Sequence, residues 1–197
     1  MIILASKSPR RRQLLSMMGL DFTVRTADID ETMDPSQTPA HEVAAVSARK
    51  AAKIAASHPD DVIVSADTIV VIDGKILGKP KDEADAIHMI SSFQGKIHQV
   101  YTGVTLVFCG KPGENPSEQW KTITFAEKTD VHVCPMTMEQ IKAYVRTGES
   151  MDKAGAYGIQ GRGALFIAHL DGDYFNVMGL PLCRLGQLLN ELGVELL

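Results

Sequence analysis

The chain has few cysteines, no excess of positive charge and no long apolar run, and each scarcity excludes a class of protein. Only three of its 197 residues are cysteines, an odd number without Cys-x-x-Cys spacing, which argues against a disulfide framework and a zinc site. Twenty Lys and Arg stand against 24 Asp and Glu, so no global basic field attracts nucleic acid. No apolar run approaches the roughly 18 residues of a membrane span.

The rest of the composition indicates a globular protein. With 45% hydrophobic and 22% charged residues, the chain can bury a core without a metal or a disulfide. It begins Met-Ile-Ile-Leu-Ala and turns basic only afterwards, which is the reverse of a signal peptide. We therefore expect a soluble cytoplasmic protein with neither a nucleic-acid nor a membrane partner.

Apolar runs and capping residues predict an α/β fold with a mixed sheet. Four runs predict strands, at residues 2–5, 62–72, 97–108 and 120–134. Two more strands are predicted around Asp171-Gly172, in LFIAHL and YFNVM. Capping residues predict helices after Ser8, Thr38, Asp82 and Thr137, and a leucine-rich helix follows residue 181. Hairpins among helices favour a mixed sheet over an alternating barrel, with KPGENPSEQ as an exposed, dispensable loop.

Positive charge stands where helices usually carry acids. The helix capped by Ser8 has Arg10, Arg11 and Arg12 in its first turn, where the helix dipole is positive. Each such charge costs about 0.3–1 kcal/mol unless an anion binds among the arginines. A phosphate would satisfy the free N–H groups and the arginines together. The alternative is a solvated basic turn.

Two further charged residues lie within apolar patterns. Asp67 interrupts the strand 62–72, and because an unpaired buried carboxylate is costly, we predict that it is paired, metal-bound or functional. A structural hydrogen bond at the strand is the alternative, and Thr68 beside it suits an ordinary strand position. Lys50 lies on the apolar stripe of its helix, so its ammonium either reaches the surface or points into a cleft.

Glycines cluster in MDKAGAYGIQGRG, residues 151–163, and let a backbone approach a ligand closely. Lys153 and Gln160 offer an ammonium and an amide within this segment. Gly78-Lys79-Pro80 is a further candidate. The alternative is a plain flexible loop.

Five motifs, in this order, resemble the Maf family of nucleoside triphosphate pyrophosphatases. They are ASKSPRRRQLL, SADTIVVIDGKILGKP, VYTGV, DKAGAYGIQGRG and NVMGLPL. The resemblance covers residue 2 to about residue 190, and the form DKAGAYGIQG is similar to the branch that acts on dTTP and UTP. It implies one Maf-like domain over residues 1–197, with a twisted mixed sheet in two lobes, helices packed around it and a central active-site cleft, similar to the inosine triphosphate pyrophosphatases.

The resemblance also implies an activity, in which a nucleoside triphosphate and water give the monophosphate and pyrophosphate with the help of Mg²⁺ or Mn²⁺. Asp67 matches the proton acceptor of the family, and Glu31 an acidic residue near the metal. The positions around the phosphates are matched by Ser6, Arg10, Arg11, Lys50 and Lys79, and Lys153 falls in the matched loop. The positions that set specificity are matched by Arg10, Thr68 and Gln160. A homodimer is common in the family and is expected here.

The charges agree with this activity, since the basic residues would offset the nearly four negative charges of a triphosphate. Asp67 either accepts a proton from the attacking water or helps hold a metal whose bound water is already acidified. The expected substrates include modified pyrimidine nucleotides. A second class of function is also open, a nucleotide-binding regulator of cell division and septum formation that does not turn its nucleotide over.

Overall fold

The computed structural model describes residues 1–34, 36–109 and 120–196, and in these ranges the chain forms seven strands and six α-helices. The strands are β1 (Ile2–Ala5), β2 (Phe22–Arg25), β3 (Val62–Ile72), β4 (Lys75–Leu77), β5 (Ile97–Cys109), β6 (Trp120–Val133) and β7 (Ile167–Asp171). The α-helices are α1 (Pro9–Met17), α2 (Pro39–Ala55), α3 (Glu83–Phe93), α4 (Met138–Val145), α5 (Tyr174–Met178) and α6 (Leu182–Glu191). Short 3-10 helices span Ala154–Ala156 and Gly161–Phe166.

The sheet has the strand order β2-β1-β3-β5-β6-β7, with β4 paired to β3 outside this path. β1 runs parallel to both β2 and β3, so that Ile2 lies opposite Phe22 on one side and Val62 on the other. Parallel neighbours need crossover connections, which α1 and α2 supply. β4 is antiparallel to β3, and β7 is antiparallel to β6. The prediction of an α/β fold with a mixed sheet is therefore confirmed.

The chain divides into two compact units. The first unit consists of Met1–Asp67, Thr102–Glu127 and Gly179–Leu197, and the second of Thr68–Tyr101 and Lys128–Met178. Strands β3, β5 and β6 each contribute residues to both units, because the boundaries between the units fall inside these strands. KPGENPSEQ lies outside the described residues.

In the first unit, α2 packs very closely on the sheet. A side chain at Gly103 of β5 would overlap the backbone carbonyl of Val43, so only glycine allows this approach. The Ser47 hydroxyl lies 2.8 Å from that of Thr105, and the Ser65 hydroxyl donates to the Ser47 carbonyl over 2.6 Å. These contacts fix the height and rotation of α2 on the sheet. Its apolar face completes a core made with β1, β3 and β5.

In the second unit, α3 and α4 cover an apolar core, and a buried histidine packs against two of its aromatic residues. His98 is fully buried, its ring centroid lies 4.8 Å from that of Phe93 with the two rings tilted, and its Nε2 lies 2.7 Å from the hydroxyl of Tyr157. Burial lowers the pKa of His98 to about 4, against a smaller opposing effect of Asp130. The imidazole is therefore neutral at pH 7 and packs as an aromatic ring.

The predicted helix starts are confirmed at Ser8, Thr38, Asp82 and Thr137, each of which caps its helix through a side-chain oxygen. Thr137 and Gln140 form a complete capping box. The leucine-rich α6 also lies where it was predicted. None of the helices in the described ranges has the length and apolarity needed to cross a membrane.

The prediction of a strand at YFNVM is wrong, since Tyr174–Met178 forms the helix α5. Asp173 accepts a hydrogen bond from the N–H of Phe175 over 2.7 Å and so favours a helical turn. The buried Asn176 amide donates to the Val100 carbonyl and the Thr129 hydroxyl. A second error is the omission of β2, which is a short strand without the continuous apolar run that identified the others.

Candidate functional site

An ion pair of Lys50 and Asp67 forms the centre of the candidate site in the first unit. Lys50 Nζ donates to Asp67 Oδ1 over 2.7 Å and lies 3.0 Å from Glu31 Oε1. The Lys50 and Asp67 side chains are only 10% and 12% exposed, whereas that of Glu31 is 59% exposed. Lys50 therefore does not extend its ammonium to the surface. One ammonium joins two carboxylates that lie 36 residues apart in sequence (31 and 67).

The helix α2 positions Lys50 through its apolar stripe. Val43, Val46 and Ile54 on the same face are buried, so Lys50 must also face the sheet. Asp67 is the last residue that β3 contributes to the first unit. The close contact of α2 with Gly103 brings the lysine stem near enough for its ammonium to reach this strand. Packing of small residues thus makes a buried ion pair possible.

The N-terminal turn of α1 adds a second cation. Arg11 Nε donates to the Gly179 carbonyl over 2.8 Å, and its Nη1 donates to the Ser6 hydroxyl over 3.4 Å. Burial lowers the pKa of Arg11. The carboxylates of Asp67 and Glu31 oppose this shift, and the positive charge of Arg10 adds to it. A guanidinium stays protonated at neutral pH even so.

The three arginines of this turn differ in exposure. Arg10 and Arg11 are half-buried and Arg12 is exposed, and the first turn of α1 has no acidic residue. For Arg11 the protein itself supplies negative charge, through the carboxylates of Asp67 and Glu31. These carboxylates offset part of the positive charge of the turn, so a bound phosphate would add to negative charge that the protein already places near Arg11.

The segment that carries Glu31 is anchored to α2 by two residues that the sequence argument missed. The buried carboxylate of Glu42 accepts a hydrogen bond from the N–H of Asp34 over 2.8 Å. Arg49 Nη2 donates to the Thr32 carbonyl over 3.1 Å. Glu42 precedes Lys50 by two i, i+4 steps on the same stripe, so an acid within an apolar pattern was the available signal.

The glycine-rich segment of the second unit is ordered by its own contacts. The N–H of Gly158 donates to the Tyr144 hydroxyl over 3.1 Å, and that hydroxyl donates to Glu149 Oε1 over 3.1 Å. The other oxygen, Glu149 Oε2, accepts from the N–H of Arg162 over 3.0 Å. Gln160 is half-buried between these anchor points. The segment is therefore a structured loop.

The remaining predicted residues lie in the second unit beside this loop or on β3. Lys153 Nζ donates to Asp152 Oδ1 over 2.6 Å and to the carbonyl of Glu149, so it is bonded within its own segment. Lys79 is exposed and follows Gly78, whose carbonyl accepts from the N–H of Gly155 over 3.0 Å. Thr68 is half-buried in β3, next to Asp67.

The structure thus places the predicted residues in two groups, one in each unit. Ser6, Arg11, Glu31, Lys50 and Asp67 belong to the first unit, where hydrogen bonds, ion pairs and charge interactions link them. Lys79, Lys153 and Gln160 belong to the second, where the bond from Gly155 to Gly78 joins their segments.

The carboxylates of Glu31 and Asp67 are the candidate ligands for a metal ion in the first unit. Within residues 1–34, 36–109 and 120–196, no group of three or more His, Cys, Asp or Glu side chains is arranged to hold an ion. Glu31 and Asp67 nonetheless both contact one cationic atom, Lys50 Nζ. Mg²⁺ is commonly held by one or two carboxylates together with substrate phosphates, and this pair fits that pattern.

Comparison with known proteins gives a consistent result. The family model for Maf-like proteins matches residues 1–192. A dTTP/UTP pyrophosphatase of Bacillus cytotoxicus is 45% identical over 183 residues, which cover 93% of this chain and 91% of the relative. A protein of the same name from Moorella thermoacetica is 45% identical, over 98% of this chain and 96% of the relative. Another from Symbiobacterium thermophilum is 46% identical, over 98% of this chain and 94% of the relative.

Among solved structures, the chain is similar to the Ham1 protein of Staphylococcus aureus. The two share 12% identity with a TM-score of 0.41, over 68% of this chain and 71% of the other. A likeness this slight carries no argument about chemistry.

Proposed function

The chain belongs to the Maf-like protein family, and from this premise we propose that it hydrolyses dTTP and UTP to the monophosphate and pyrophosphate. The observation that carries the proposal is the buried pair of Lys50 and Asp67 with Glu31 and Arg11 beside it. A carboxylate held by one ammonium and flanked by further charged groups suits proton transfer near phosphates.

Asp67 is the proposed proton acceptor. Hydrolysis at the α-phosphorus needs a water that loses its proton as it attacks, and a positioned base contributes about 100- to 10,000-fold to such a step. Lys50 donates to Oδ1 and so orients the carboxylate, leaving Oδ2 as the oxygen that we propose takes the proton.

The basic side chains are proposed to bind the triphosphate. Arg10 and Arg11 lie at the N-terminus of α1, whose N–H groups and dipole favour an anion. Ser6 accepts from Arg11 and holds its guanidinium in place. We assign Lys79 and Lys153 to the same task in the second unit. Fixed positive charge of this kind stabilises the negative charge that develops on departing pyrophosphate.

Glu31 and Asp67 are the residues that would hold Mg²⁺ or Mn²⁺. Such a cation would supply neutralisation of phosphate charge and an acidified bound water. The carboxylate oxygens that now bind Lys50 Nζ are hard ligands of the type these ions prefer. Proton acceptance and metal binding are alternative proposals for the role of Asp67.

Gln160 is proposed to read the base. Its amide offers an acceptor and two donors, which can pair with O4 and N3–H of thymine or uracil, whereas cytosine presents the reverse pattern. A site built for these hydrogen bonds rejects a mismatched base because its own groups stay unpaired, at about 1–3 kcal/mol each. We assign supporting roles to Thr68 and Arg10 and expect dTTP and UTP to react well ahead of CTP, ATP and GTP.

The test is a product assay with purified protein. Each triphosphate is incubated with Mg²⁺ or Mn²⁺, and the products are resolved by chromatography, with Asp67→Asn prepared in parallel as the control for contaminating phosphatases. We expect dTMP and pyrophosphate from dTTP. Recovery of dTDP and orthophosphate would contradict the proposal. Tight binding without turnover would instead support the nucleotide-binding regulator.

A further inference from the structure

Two residues outside the predicted site, Tyr144 and Glu149, bind the backbone before and after Gln160. The N–H of Gly158, two residues before Gln160, donates to the Tyr144 hydroxyl over 3.1 Å. The N–H of Arg162, two residues after it, donates to Glu149 Oε2 over 3.0 Å. Tyr144 in turn donates to Glu149 over 3.1 Å, so one connected pair of side chains holds both ends.

The loop is also closed at its base. The N–H of Gly163 donates to Glu149 Oε1 over 3.1 Å, and a side chain on Gly163 would overlap the carbonyl of Gly158. Residues 158 and 163 therefore touch through their backbones, and Gln160 lies in the turn between them. Its side chain makes no capping hydrogen bond to the 3-10 helix that follows. Its amide is thus not used to hold this turn.

The burial and hydrogen bonding of Tyr144 and Glu149 suit this role. Tyr144 is almost fully buried, and burial raises the pKa of its phenol, so the hydroxyl keeps its proton and can donate. Glu149 receives three hydrogen bonds, from Tyr144 and from the backbone of Arg162 and Gly163. Hydrogen bonds to a charged acceptor are stronger than neutral ones. Two of these bonds come from the loop itself, and the third comes from Tyr144, which also accepts a hydrogen bond from the loop.

We propose that Glu149 is a positioning residue for base selection, which fixes the Gly158–Gly163 loop and thereby the place from which the Gln160 amide meets the base. The inference rests on the role proposed above for Gln160. Hydrogen bonds weaken steeply when donor and acceptor lose alignment. A displaced loop would therefore lose the bonds that a matched base makes, while a mismatched base has few of them to lose.

Glu149→Gln is the informative variant. Glutamine keeps the size of the side chain but has one oxygen, and its NH₂ group then faces a backbone N–H donor. Glu139→Gln is the matched control, since Glu139 is an exposed acid in the first turn of α4, the helix that carries Tyr144. The measured quantity is the ratio of kcat/KM for dTTP to kcat/KM for CTP, with thermal unfolding recorded for every variant.

We expect Glu149→Gln to lower this ratio about tenfold, within the range that a few pocket contacts control. The loss should fall on dTTP, with kcat/KM for CTP changed by less than about twofold, and Glu139→Gln should match the unmodified protein. Glu149→Asp keeps both oxygens and should recover part of the ratio. Tyr144→Phe removes the second anchor and should lower the ratio as well, which keeps the test valid if Glu149→Gln does not fold.

The outcomes separate this inference from the proposed function. Equal turnover of dTTP and CTP by the unmodified protein, or an unchanged ratio in Gln160→Ala, would refute the role of Gln160 itself. If Gln160→Ala loses selectivity and the Glu149 and Tyr144 variants keep it, the positioning role alone is overturned. An equal loss for both substrates, together with a lower Tm, would also overturn it, because Glu149 would then be merely structural.

Discussion

Replacing Lys50 by methionine measures what the buried ion pair contributes to stability. Methionine keeps the apolar stem but removes the ammonium that lies 2.7 Å from Asp67 Oδ1. Asp67 would then keep a buried negative charge without its nearest cation, and breaking such a pair costs about 3–5 kcal/mol. Arg11, whose charge also acts on Asp67, offsets part of this loss. We therefore expect the free energy of unfolding to fall by about 3 kcal/mol, at the low end of that range.

A double-mutant cycle separates the pair from the rest of its surroundings. Asp67→Asn keeps an acceptor for Lys50, and Glu31 still pairs with Lys50 over 3.0 Å, so its cost should be about 1 kcal/mol. The double variant Lys50→Met/Asp67→Asn removes both charges of the pair and should be more stable than Lys50→Met alone. The expected coupling energy is about 1–2 kcal/mol, from urea unfolding followed by circular dichroism at pH 7.

Lys53→Met on the same helix provides the control, because Lys53 is exposed and its replacement should change stability by less than about 0.5 kcal/mol. If Lys50→Met costs no more than Lys53→Met, the pair contributes no more than a surface salt bridge. A coupling energy of zero would refute the reasoning in a second way, since each residue would then act without the other.

Asp67→Asn should lower kcat at least about 100-fold in steady-state assays, and normal turnover would contradict the role of Asp67 as proton acceptor. Arg11→Ala should raise KM. Because Arg11 donates to the Gly179 carbonyl, this variant should also lose about 1 kcal/mol of stability, whereas replacing the exposed Arg12 by alanine should not change stability. Full activity of Arg11→Ala would mean that this arginine is purely structural. His98 has a folded pKa of about 4, below the unfolded value of about 6.5, so the unfolded chain binds the extra proton as the pH falls. The contribution of His98 to the free energy of unfolding should therefore fall by about 2 kcal/mol between pH 7 and pH 5 and be restored on returning to pH 7. A His98→Gln variant whose free energy of unfolding, measured in urea, depends on pH in the same way would contradict this.

Local features of the fold could be predicted from the sequence, because their physics is local. The capping box of Thr137 and Gln140 and the apolar run of β3 depend on neighbours within a few residues. The prediction for YFNVM was wrong because its apolar residues fit a strand. The helix α5 that forms there depends on Asp173 and on partners of Asn176 that are distant in sequence. The strand β2 was not predicted because it has no continuous apolar run of its own. It joins the sheet through its pairing with β1, which is distant in sequence.

The candidate site was predictable in residue identity but not in partners. An acid in an apolar strand and a lysine on an apolar stripe each indicated a special position, but their pairing depends on how closely α2 packs on Gly103. Glu149 gave no signal, because a carboxylate that binds backbone N–H groups 13 and 14 residues later has no local pattern. Contacts of this kind become visible only once the chain is folded.

The most direct test of the central claim is the position of oxygen-18 after hydrolysis of dTTP in labelled water. The claim is that water attacks the α-phosphorus and that pyrophosphate departs. Mass spectrometry of the separated products should find one labelled oxygen in dTMP and none in pyrophosphate, and the Asp67→Asn control should form labelled dTMP at least about 100-fold more slowly. Label in pyrophosphate, or in orthophosphate released beside dTDP, would contradict the account.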